Sequence, residues 1–167
     1  ASSGDIQQAL RRAVQAQESW RDTTTERRVE ILQAAASIMR TRRDEFAAWE
    51  IMECGKPWRE ADADIAEAID FLEYYAESWC QLAAPKRLGQ EPGELNQRFY
   101  SPRGVTAVIA PWNFPLAIPT GMVSAALVTG NPVIFKPSER SPMMGHWLTE
   151  VLQEAGVPEG VFSCLQG

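Results

Sequence analysis

The chain has 167 residues, of which 45% are hydrophobic, and this length and composition are typical of one ordinary globular domain. Its 22 acidic and 16 basic side chains give a formal net charge of -6, and no run of Lys and Arg is long enough to follow a phosphate backbone, so we expect no nucleic-acid partner. The most apolar stretch, residues 105–127, is interrupted by prolines, so we expect no membrane-spanning helix.

The first part of the chain has the spacing of apolar residues that is typical of amphipathic helices. One helix is predicted from Ile6 to about Trp20. Its apolar face is expected to consist of Ala9, Leu10, Ala13, Val14 and Ala16. A second helix follows Thr23 and Glu26, which have the spacing of a capping box, and it continues to about Met39.

Two further helices are predicted before the character of the chain changes. The third starts at Asp44 and ends at Gly55-Lys56-Pro57, because Gly favours a helix C-cap and Pro cannot continue the hydrogen-bond ladder. The fourth is long, from Glu60 to about Leu82, and it carries one apolar stripe. The sequence Ala83-Ala84-Pro85 then ends the helical part.

The second part of the chain alternates short apolar segments with helical ones. After a turn-rich loop, residues 96–100 are predicted as an exposed strand. Buried strands are predicted at Val105–Ala110, Pro132–Phe135 and Val161–Leu165, with helices between them at Ala117–Val128 and Ser141–Ala155. This alternation predicts parallel pairing with right-handed crossovers. The expected fold class is α/β, with N-terminal helices followed by the first βαβαβ half of a doubly wound parallel sheet.

We expect two segments along the chain. Residues 1–100 would form an N-terminal helical segment with an edge strand, and residues 101–167 the first half of a dinucleotide-binding domain. Three strands alone would leave an unpaired sheet edge, and Gly167 lies where a strand should pass into its next loop. The chain is therefore expected to be the N-terminal part of a longer protein.

The cysteines and the histidine limit the chemistry that the chain can perform alone. Cys54, Cys80 and Cys164 are widely spaced and lack the pairing and histidines of a zinc site, so we expect no metal site. Their number and spacing favour a reducing, cytoplasmic location. His146 is the only histidine, and its place in a predicted helix favours an ordinary surface or packing role over catalysis.

Candidate site residues follow the first two parallel strands, because ligands of open α/β sheets bind beyond the carboxyl ends of strands. Asn113 lies in the turn Pro111–Pro115, where its amide could donate to a developing oxyanion; a turn Asn that bonds its own backbone is the alternative. Lys136 and Glu139 suit the phosphate and ribose hydroxyls of a dinucleotide, but a solvated ion pair fits their spacing equally well. The chain has no Gly-x-Gly-x-x-Gly fingerprint.

Several motifs occur in an order and at spacings that resemble the aldehyde dehydrogenase superfamily. They are Ile109-Ala110-Pro111-Trp112-Asn113-Phe114-Pro115, Gly130-Asn131-Pro132-Val133, Phe135-Lys136-Pro137-Ser138-Glu139 and Glu154-Ala155-Gly156-Val157-Pro158. Earlier in the chain, Glu53-Cys54-Gly55-Lys56-Pro57-Trp58 and the segment from Ala61 to Ala76 are similar to the 1-pyrroline-5-carboxylate dehydrogenase branch. The resemblance covers essentially the whole chain.

The resemblance implies an activity for the longer protein. That activity would be the NAD(P)-dependent oxidation of L-glutamate γ-semialdehyde, the open form of 1-pyrroline-5-carboxylate, to glutamate in proline catabolism. NAD is the expected cofactor and NADP is the alternative, while FAD is expected only where a proline dehydrogenase domain is also present. The family's catalytic cysteine and glutamate would lie beyond Gly167, so we expect the chain alone to be inactive. A homo-oligomer is also implied.

The same resemblance assigns roles to residues of this chain. Asn113 would be the oxyanion-hole amide. The cofactor-binding residues would be Ile109, Pro111, Trp112, Lys136, Ser138 and Glu139. Among them, Ser138 would lie where a phosphate-bearing ribose is accommodated. Glu67 and Phe114 would line the aldehyde tunnel, although the pattern around Glu67 by itself indicates only the solvated face of an amphipathic helix.

Three alternatives remain open at this point. The longer protein could be another aldehyde dehydrogenase with a broader substrate range. The chain could instead be a non-catalytic module that binds a nucleotide or a protein partner, with Asn113 in a structural role. It could also be a purely structural piece, whose exposed edge strand pairs with another chain.

Overall fold

Six helices and five short strands make up the chain, and the computed structural model describes all residues from Ala1 to Gly167. The helices are α1 (Ser3–Asp22), α2 (Thr25–Thr41), α3 (Arg43–Cys54), α4 (Trp58–Leu82), α5 (Ala117–Val128) and α6 (Pro142–Glu154). The strands are β1 (Lys86–Arg87), β2 (Gln97–Arg98), β3 (Thr106–Ile109), β4 (Val133–Lys136) and β5 (Phe162–Cys164). No helix combines the length and hydropathy that a bilayer crossing requires. The expected α/β class, with helices first and alternating strands and helices later, is confirmed.

Helix α1 begins earlier than its apolar pattern predicts. It starts at Ser3 rather than near Ile6, because Ser2 and Asp5 form a capping box ahead of the first apolar residue. The Ser2 hydroxyl accepts a hydrogen bond from the Asp5 N–H, and the Asp5 carboxylate accepts one from the Ser2 N–H at 2.7 Å. Two otherwise unpaired N–H groups of the first turn are satisfied in this way.

The apolar face predicted for α1 is partly wrong. Leu10 and Val14 are 47% and 55% exposed, whereas Ala9, Ala13 and Trp20 are buried. The indole N–H of Trp20 donates to the Leu127 carbonyl at 3.2 Å, and this long-range bond fixes which face of α1 meets the core. The sequence pattern could not reveal the rotation, because both faces carry apolar residues.

The predicted capping box of Thr23 and Glu26 is also wrong. Thr23 is the C-cap of α1, and its hydroxyl donates to the Ser19 carbonyl at 2.9 Å. Thr24 caps α2 instead, accepting a hydrogen bond from the Arg27 N–H at 3.2 Å. Because three threonines occur in succession, their spacing does not distinguish the residue that ends one helix from the residue that starts the next.

A two-stranded antiparallel hairpin connects the helical segment to the sheet. Its second strand, β2, occupies only residues 97–98 of the strand predicted at 96–100. Its partner β1 was not predicted, since Lys86 and Arg87 have no strand pattern. Both strands are exposed, so this hairpin lies outside the core.

Strands β3, β4 and β5 form a parallel sheet with β4 in the centre, and the predicted parallel pairing is confirmed. The register pairs Ile109, the last residue of β3, with Lys136, the last residue of β4. Contrary to the expectation of a fully buried strand, β3 buries one face only. Val108 is 3% exposed and Ile109 is 71% exposed, and α5 is the helix that packs against β3.

Helix α4 joins the helical segment to the sheet. It packs against α2, α3 and α5, and α5 in turn contacts β3 and β4. Nearly all the buried hydrophobic residues form one continuous core, in which Met39 and Leu72 of the helical segment belong to the same cluster as Phe135 of β4. The division at residues 1–100 and 101–167 stays a prediction, and the core continues across it.

The C-terminal end of α5 is held by donors from the helical segment. The guanidinium of Arg28 is buried, and its Nε donates to the Val128 carbonyl at 2.9 Å. Its Nη1 donates to the carbonyls of Trp20, Arg21 and Thr23. One guanidinium therefore satisfies carbonyls at the ends of two helices, where the backbone has no partner of its own.

We expect Arg28→Met to lower the free energy of unfolding by about 2–4 kcal/mol, because buried carbonyls would lose charge-assisted hydrogen bonds. Urea unfolding followed by tryptophan fluorescence measures this. The control is Arg27→Met, since Arg27 is exposed and pairs only with Glu30 on its own helix. Its expected change is below about 0.5 kcal/mol. Similar losses in the two variants would contradict the role assigned to Arg28.

Candidate active site

The carboxyl ends of β3 and β4 lie side by side. The N–H of Ala110 donates to the Lys136 carbonyl at 3.2 Å, one residue beyond the last paired positions. The turn 111–115 and the loop 137–141 therefore leave the sheet at the same place, which we call the carboxyl edge (residues 109–115 and 136–141). It gathers all the candidate site residues except Glu67, namely Ile109, Pro111, Trp112, Asn113, Phe114, Lys136, Ser138 and Glu139.

Lys136 and Glu139 form a loose, solvent-exposed pair at this edge. The Lys136 ammonium donates to the Pro137 carbonyl at 2.9 Å and lies 3.7 Å from a carboxylate oxygen of Glu139. A hydrogen bond with its own backbone and the nearby Lys136 charge lower the pKa of Glu139. The cation and the acceptor are 41% and 70% exposed, so both remain accessible to a ligand.

Ser138 is buried, at 7% exposed, unlike Lys136 and Glu139. Its hydroxyl accepts a hydrogen bond from the Arg140 N–H at 3.2 Å, and its carbonyl accepts one from the Ser141 N–H at 3.0 Å. Both bonds close the loop on itself. In this arrangement Ser138 shapes the loop that presents Lys136 and Glu139.

Exposed apolar side chains complete the edge. Ile109 and Trp112 are 71% and 47% exposed, and the Arg140 guanidinium lies 5.6 Å from the centre of the Trp112 ring. An apolar surface beside a cation and a carboxylate fits the flat base and the ribose hydroxyls of a dinucleotide. Arg140 was missed in the sequence, where it is simply the residue after a candidate; its contact with Trp112 spans 28 residues.

Asn113 and Phe114 lie at the tip of the turn after β3, and both side chains are exposed. None of the side-chain hydrogen bonds in this region involves Asn113, so the alternative of a turn Asn that bonds its own backbone has no support in the geometry. Its carboxamide is free to donate to a ligand. The ring of Phe114 instead has a partner, because the Lys56 ammonium lies 4.4 Å from its centre.

The end of this turn is anchored by a buried carboxylate from α4. Asp64 Oδ2 accepts hydrogen bonds from the N–H groups of Leu116 and Ala117, at 3.1 and 3.3 Å. Leu116 is the N-cap of α5 and makes no side-chain cap bond, so Asp64 caps that helix from a distance. A carboxylate at a helix N-terminus is also favoured by the helix dipole.

Two more buried charges accompany Asp64. The Lys56 ammonium lies 2.7 Å from Glu50 Oε1 and 3.8 Å from Asp64 Oδ1, and both carboxylate side chains are 0% exposed. The contact with Glu50 is close but is not aligned as a hydrogen bond. We call Glu50, Lys56 and Asp64 the buried triad. Gly55 ends α3 at φ +69, a conformation that few other residues adopt, and the chain then turns so that Lys56 reaches the two carboxyl groups.

Burial raises the pKa of Glu50 to about 8. The adjacent Lys56 lowers it and the adjacent Asp64 raises it, but removal from water is the largest cause. The raised pKa favours the neutral form of Glu50. A neutral Glu50 reduces the number of charges that the interior must hold without water.

Sequence reasoning missed the triad, although a signal was present. Asp64 lies among Ala61, Ile65 and Ala68 on the buried stripe of α4, where a solvated face would not place a carboxylate. Glu50 likewise follows Phe46 and Ala47 on the buried face of α3. Charged residues within a buried stripe need a partner, and this requirement could have directed attention to them.

Glu53 caps the N-terminus of α6, as Asp64 caps that of α5. Its two carboxylate oxygens accept hydrogen bonds from the N–H groups of Met143 and Met144, at 2.7 and 3.1 Å. Ser141, the N-cap of α6, makes no cap bond with its side chain. Both crossover helices of the sheet are thus capped by carboxylates from the helical segment.

Glu67 lies apart from the carboxyl edge, on the exposed face of α4. It is three residues after Asp64, a distance of about 4.5 Å along the helix axis. Because Asp64 touches the start of α5 and Phe71 packs against Gly121, Glu67 lies at the level of the first turns of α5. It takes part in none of the chain's ion pairs, so its carboxylate is available to a cationic ligand.

The cysteines lack the environment of a nucleophile. Cys54 is half-buried, and burial raises the pKa of its thiol to about 11. Burial also raises the pKa of Cys164, whereas an activated thiol needs a lowered pKa. Cys80 is exposed on α4, far in sequence from the carboxyl edge, and all three residues are free thiols.

Comparison with known proteins identifies the group to which these features belong. A family model described as the aldehyde dehydrogenase family matches residues 1–167. The 1-pyrroline-5-carboxylate dehydrogenase 1 of Halalkalibacterium halodurans is 48% identical over 161 residues, which cover 96% of this chain and 31% of that protein. The 1-pyrroline-5-carboxylate dehydrogenase 2 of Bacillus subtilis is 47% identical over 167 residues, covering 100% of this chain and 32% of that protein.

Solved structures give the same result. The 1-pyrroline-5-carboxylate dehydrogenase from Thermus with bound NAD superposes with a TM-score of 0.97 at 44% identity, covering 100% of this chain and 33% of that one. Proline utilization A from Bdellovibrio bacteriovorus has a TM-score of 0.98 at 47% identity, covering 100% of this chain and 18% of that one. The chain spans about a third of the length of the curated relatives that it matches.

The raised pKa of Glu50 predicts a pH dependence of stability. Its pKa is 4.5 without burial and about 8 in the fold, so the folded chain keeps a proton that the unfolded chain releases. The contribution of this proton to the free energy of unfolding is full below about pH 4.5 and is lost as the pH rises towards 8. Glu50→Gln does not titrate, so its unfolding free energy should fall less steeply from about pH 5 to about pH 8, by up to about 1.4 kcal/mol per pH unit.

Urea unfolding across this pH range measures the difference. Glu45→Gln is the control, because the hydrogen bond from Arg42 lowers the pKa of Glu45 and moves its titration below the range. Its stability should change with pH in parallel with the unsubstituted chain. A Glu50→Gln profile that is also parallel would contradict a protonated Glu50.

Proposed function

The chain belongs to the aldehyde dehydrogenase family, and we propose that it is part of an NAD-dependent enzyme that oxidises L-glutamate γ-semialdehyde to glutamate. This aldehyde is the open form of 1-pyrroline-5-carboxylate, and the reaction would serve proline catabolism. The proposal rests on one observation above the others: the free amide of Asn113 lies at the same carboxyl edge as the accessible Lys136 and Glu139. The substrate is proposed from the relatives, which are 1-pyrroline-5-carboxylate dehydrogenases.

In this proposal Asn113 acts on the aldehyde oxygen. When a nucleophile adds to the aldehyde carbon, the carbonyl oxygen gains negative charge, and an amide N–H held nearby stabilises it. The Asn113 carboxamide makes no internal bond that would have to break first, and Asp64 holds the end of its turn. The nucleophile itself belongs to the part of the family's sequence that is not represented in these 167 residues.

The cofactor would lie along the carboxyl edge and accept a hydride through its nicotinamide. Ile109, Pro111 and Trp112 would form its apolar wall, while Lys136 and Glu139 would meet phosphate and ribose groups. The NAD bound in the Thermus relative supports NAD as the ligand. NADP is the alternative cofactor, and Ser138 would then lie near its phosphate-bearing ribose, although the Ser138 hydroxyl already accepts a hydrogen bond from its own loop. FAD would belong only to a protein that also carries a proline dehydrogenase domain.

The substrate carries an ammonium group, and a carboxylate without a partner would recognise it. Glu67 on α4 is such a carboxylate, exposed and outside the chain's ion pairs. Phe114, 42% exposed at the tip of the turn, would cover the apolar part of the aldehyde. An aldehyde dehydrogenase with a broader substrate range is the second candidate, and the experiments below distinguish the two.

We expect the full-length protein that carries this chain to produce NADH with 1-pyrroline-5-carboxylate far faster than with acetaldehyde. Asn113→Ala should lower kcat on the order of 10²–10³-fold, because one oxyanion donor is lost. NADH absorbance at saturating substrate measures both effects. A preference for acetaldehyde would retain the family and discard this substrate, and activity with neither would favour a non-catalytic module.

For Glu67, we expect the Ala variant to raise KM for the semialdehyde by about tenfold, the loss of one charged contact, while acetaldehyde kinetics stay unchanged. Glu77→Ala is the matched control, since Glu77 is also exposed on α4 but lies ten residues further on, about 15 Å along the axis. It should leave both substrates unaffected. An equal loss on the two aldehydes in Glu67→Ala would show that Glu67 does not recognise the ammonium group.

A further inference from the structure

Lys56 makes two kinds of contact at once. On one side its ammonium lies between the buried carboxylates, 2.7 Å from Glu50 and 3.8 Å from Asp64. On the other side it lies 4.4 Å from the centre of the Phe114 ring. Its side chain is only 12% exposed, so the cation is withdrawn from water and its attraction to the ring is stronger than at the surface.

These contacts meet at the turn that carries Asn113. Asp64, which lies beside Lys56, accepts hydrogen bonds from the N–H groups of Leu116 and Ala117 at the end of the turn. Phe114 lies two residues before Leu116. The Asn113 side chain makes no hydrogen bond to the rest of the chain. Its place therefore depends on how its neighbours in the turn are held.

We propose that Lys56 is a positioning residue, which fixes the turn 111–116 and so the Asn113 amide, by linking the Phe114 ring to the carboxylate of Asp64. This inference rests on the proposed function for its catalytic consequence, but its structural part stands without it. Lys56 does not touch the substrate in this scheme. It acts through Phe114 and Asp64.

A neutral side chain would not do the same work. A methionine has a similar stem and fills similar space, but it attracts neither the ring face nor the carboxylates. An arginine keeps the charge, stacks well on aromatic rings and can donate two hydrogen bonds to one carboxylate. The Met and Arg variants therefore separate the charge of Lys56 from its bulk.

The test uses the full-length protein. We expect Lys56→Met to lower kcat by about 10- to 100-fold, the effect of a displaced catalytic group, and to change KM for NAD less than about twofold. Lys56→Arg should recover most of the lost kcat. The matched control is Arg43→Met. Arg43 of α3 pairs with Asp62 of α4, so this substitution also removes an ion pair near these helices, but one that does not reach the turn. That variant should keep its kcat.

A second measurement does not depend on activity. Hydrogen exchange at the Leu116 and Ala117 amides should be about tenfold faster in Lys56→Met and unchanged in Arg43→Met. If Lys56→Met proves insoluble, Phe114→Leu takes its place. This variant alters an exposed ring, is expected to fold and should also speed the exchange. Normal exchange at both amides in the soluble variants would overturn the inference, and so would equal losses of kcat in Lys56→Met and Arg43→Met.

The two proposals fail in different ways. If the unsubstituted protein oxidises no aldehyde, the proposed function is wrong, while faster exchange in Lys56→Met alone still supports the positioning role. If the protein is active and the Lys56→Met variant keeps kcat within about twofold, the function stands and the positioning role is wrong. A double variant adds a check: the effect of Lys56→Met on kcat should largely disappear when Phe114 is already Leu.

Discussion

The ends of the two crossover helices constrain the whole structure. Each helix begins and ends with backbone groups that have no partner within the helix, and here those ends are partly or fully removed from water. Asp64 and Glu53 accept from the first N–H groups of α5 and α6, while Arg28 and Trp20 donate to the last carbonyls of α5. All four side chains come from the helical segment. The sheet with its helices is therefore completed by residues far away in sequence. The continuous core likewise contains side chains from both the helical segment and the sheet.

This constraint also accounts for the buried charges. A carboxylate at position 64 is required to cap α5, but a carboxylate in the interior needs a compensating charge. Lys56 supplies it, and burial raises the pKa of Glu50 to about 8, which favours the neutral form of that residue. Buried ion groups are often no more stable than well-packed apolar residues of the same size. The geometry that the triad imposes on the turn is thus a better explanation for it than stability.

Much of the fold could be predicted from local patterns, because helix spacing and the alternation of strands with helices depend on near neighbours. The six helices and the parallel sheet were found in this way, and so was the carboxyl edge with Asn113 and Lys136. The errors share a physical cause. The rotation of α1, set by the bond from Trp20 to Leu127, and the capping of α5 by Asp64 depend on contacts across 107 and 52 residues. No local pattern contains such information, although a carboxylate within a buried stripe indicates that a distant partner must exist.

The two parts of the carboxyl edge are held by different means. The loop with Lys136 and Ser138 is closed by its own short-range hydrogen bonds, so its shape is encoded within a few residues. The turn with Asn113 has no such internal bonds and takes its anchor from Asp64. The Ala110 N–H bond to the Lys136 carbonyl joins the two parts at the sheet, and the contact of Arg140 with Trp112 joins them beyond it. Changes around Asp64 should therefore alter the position of Asn113, whereas changes at Glu53 should reach the loop through α6. In the proposed function the helical segment is thus part of the site and not only its support.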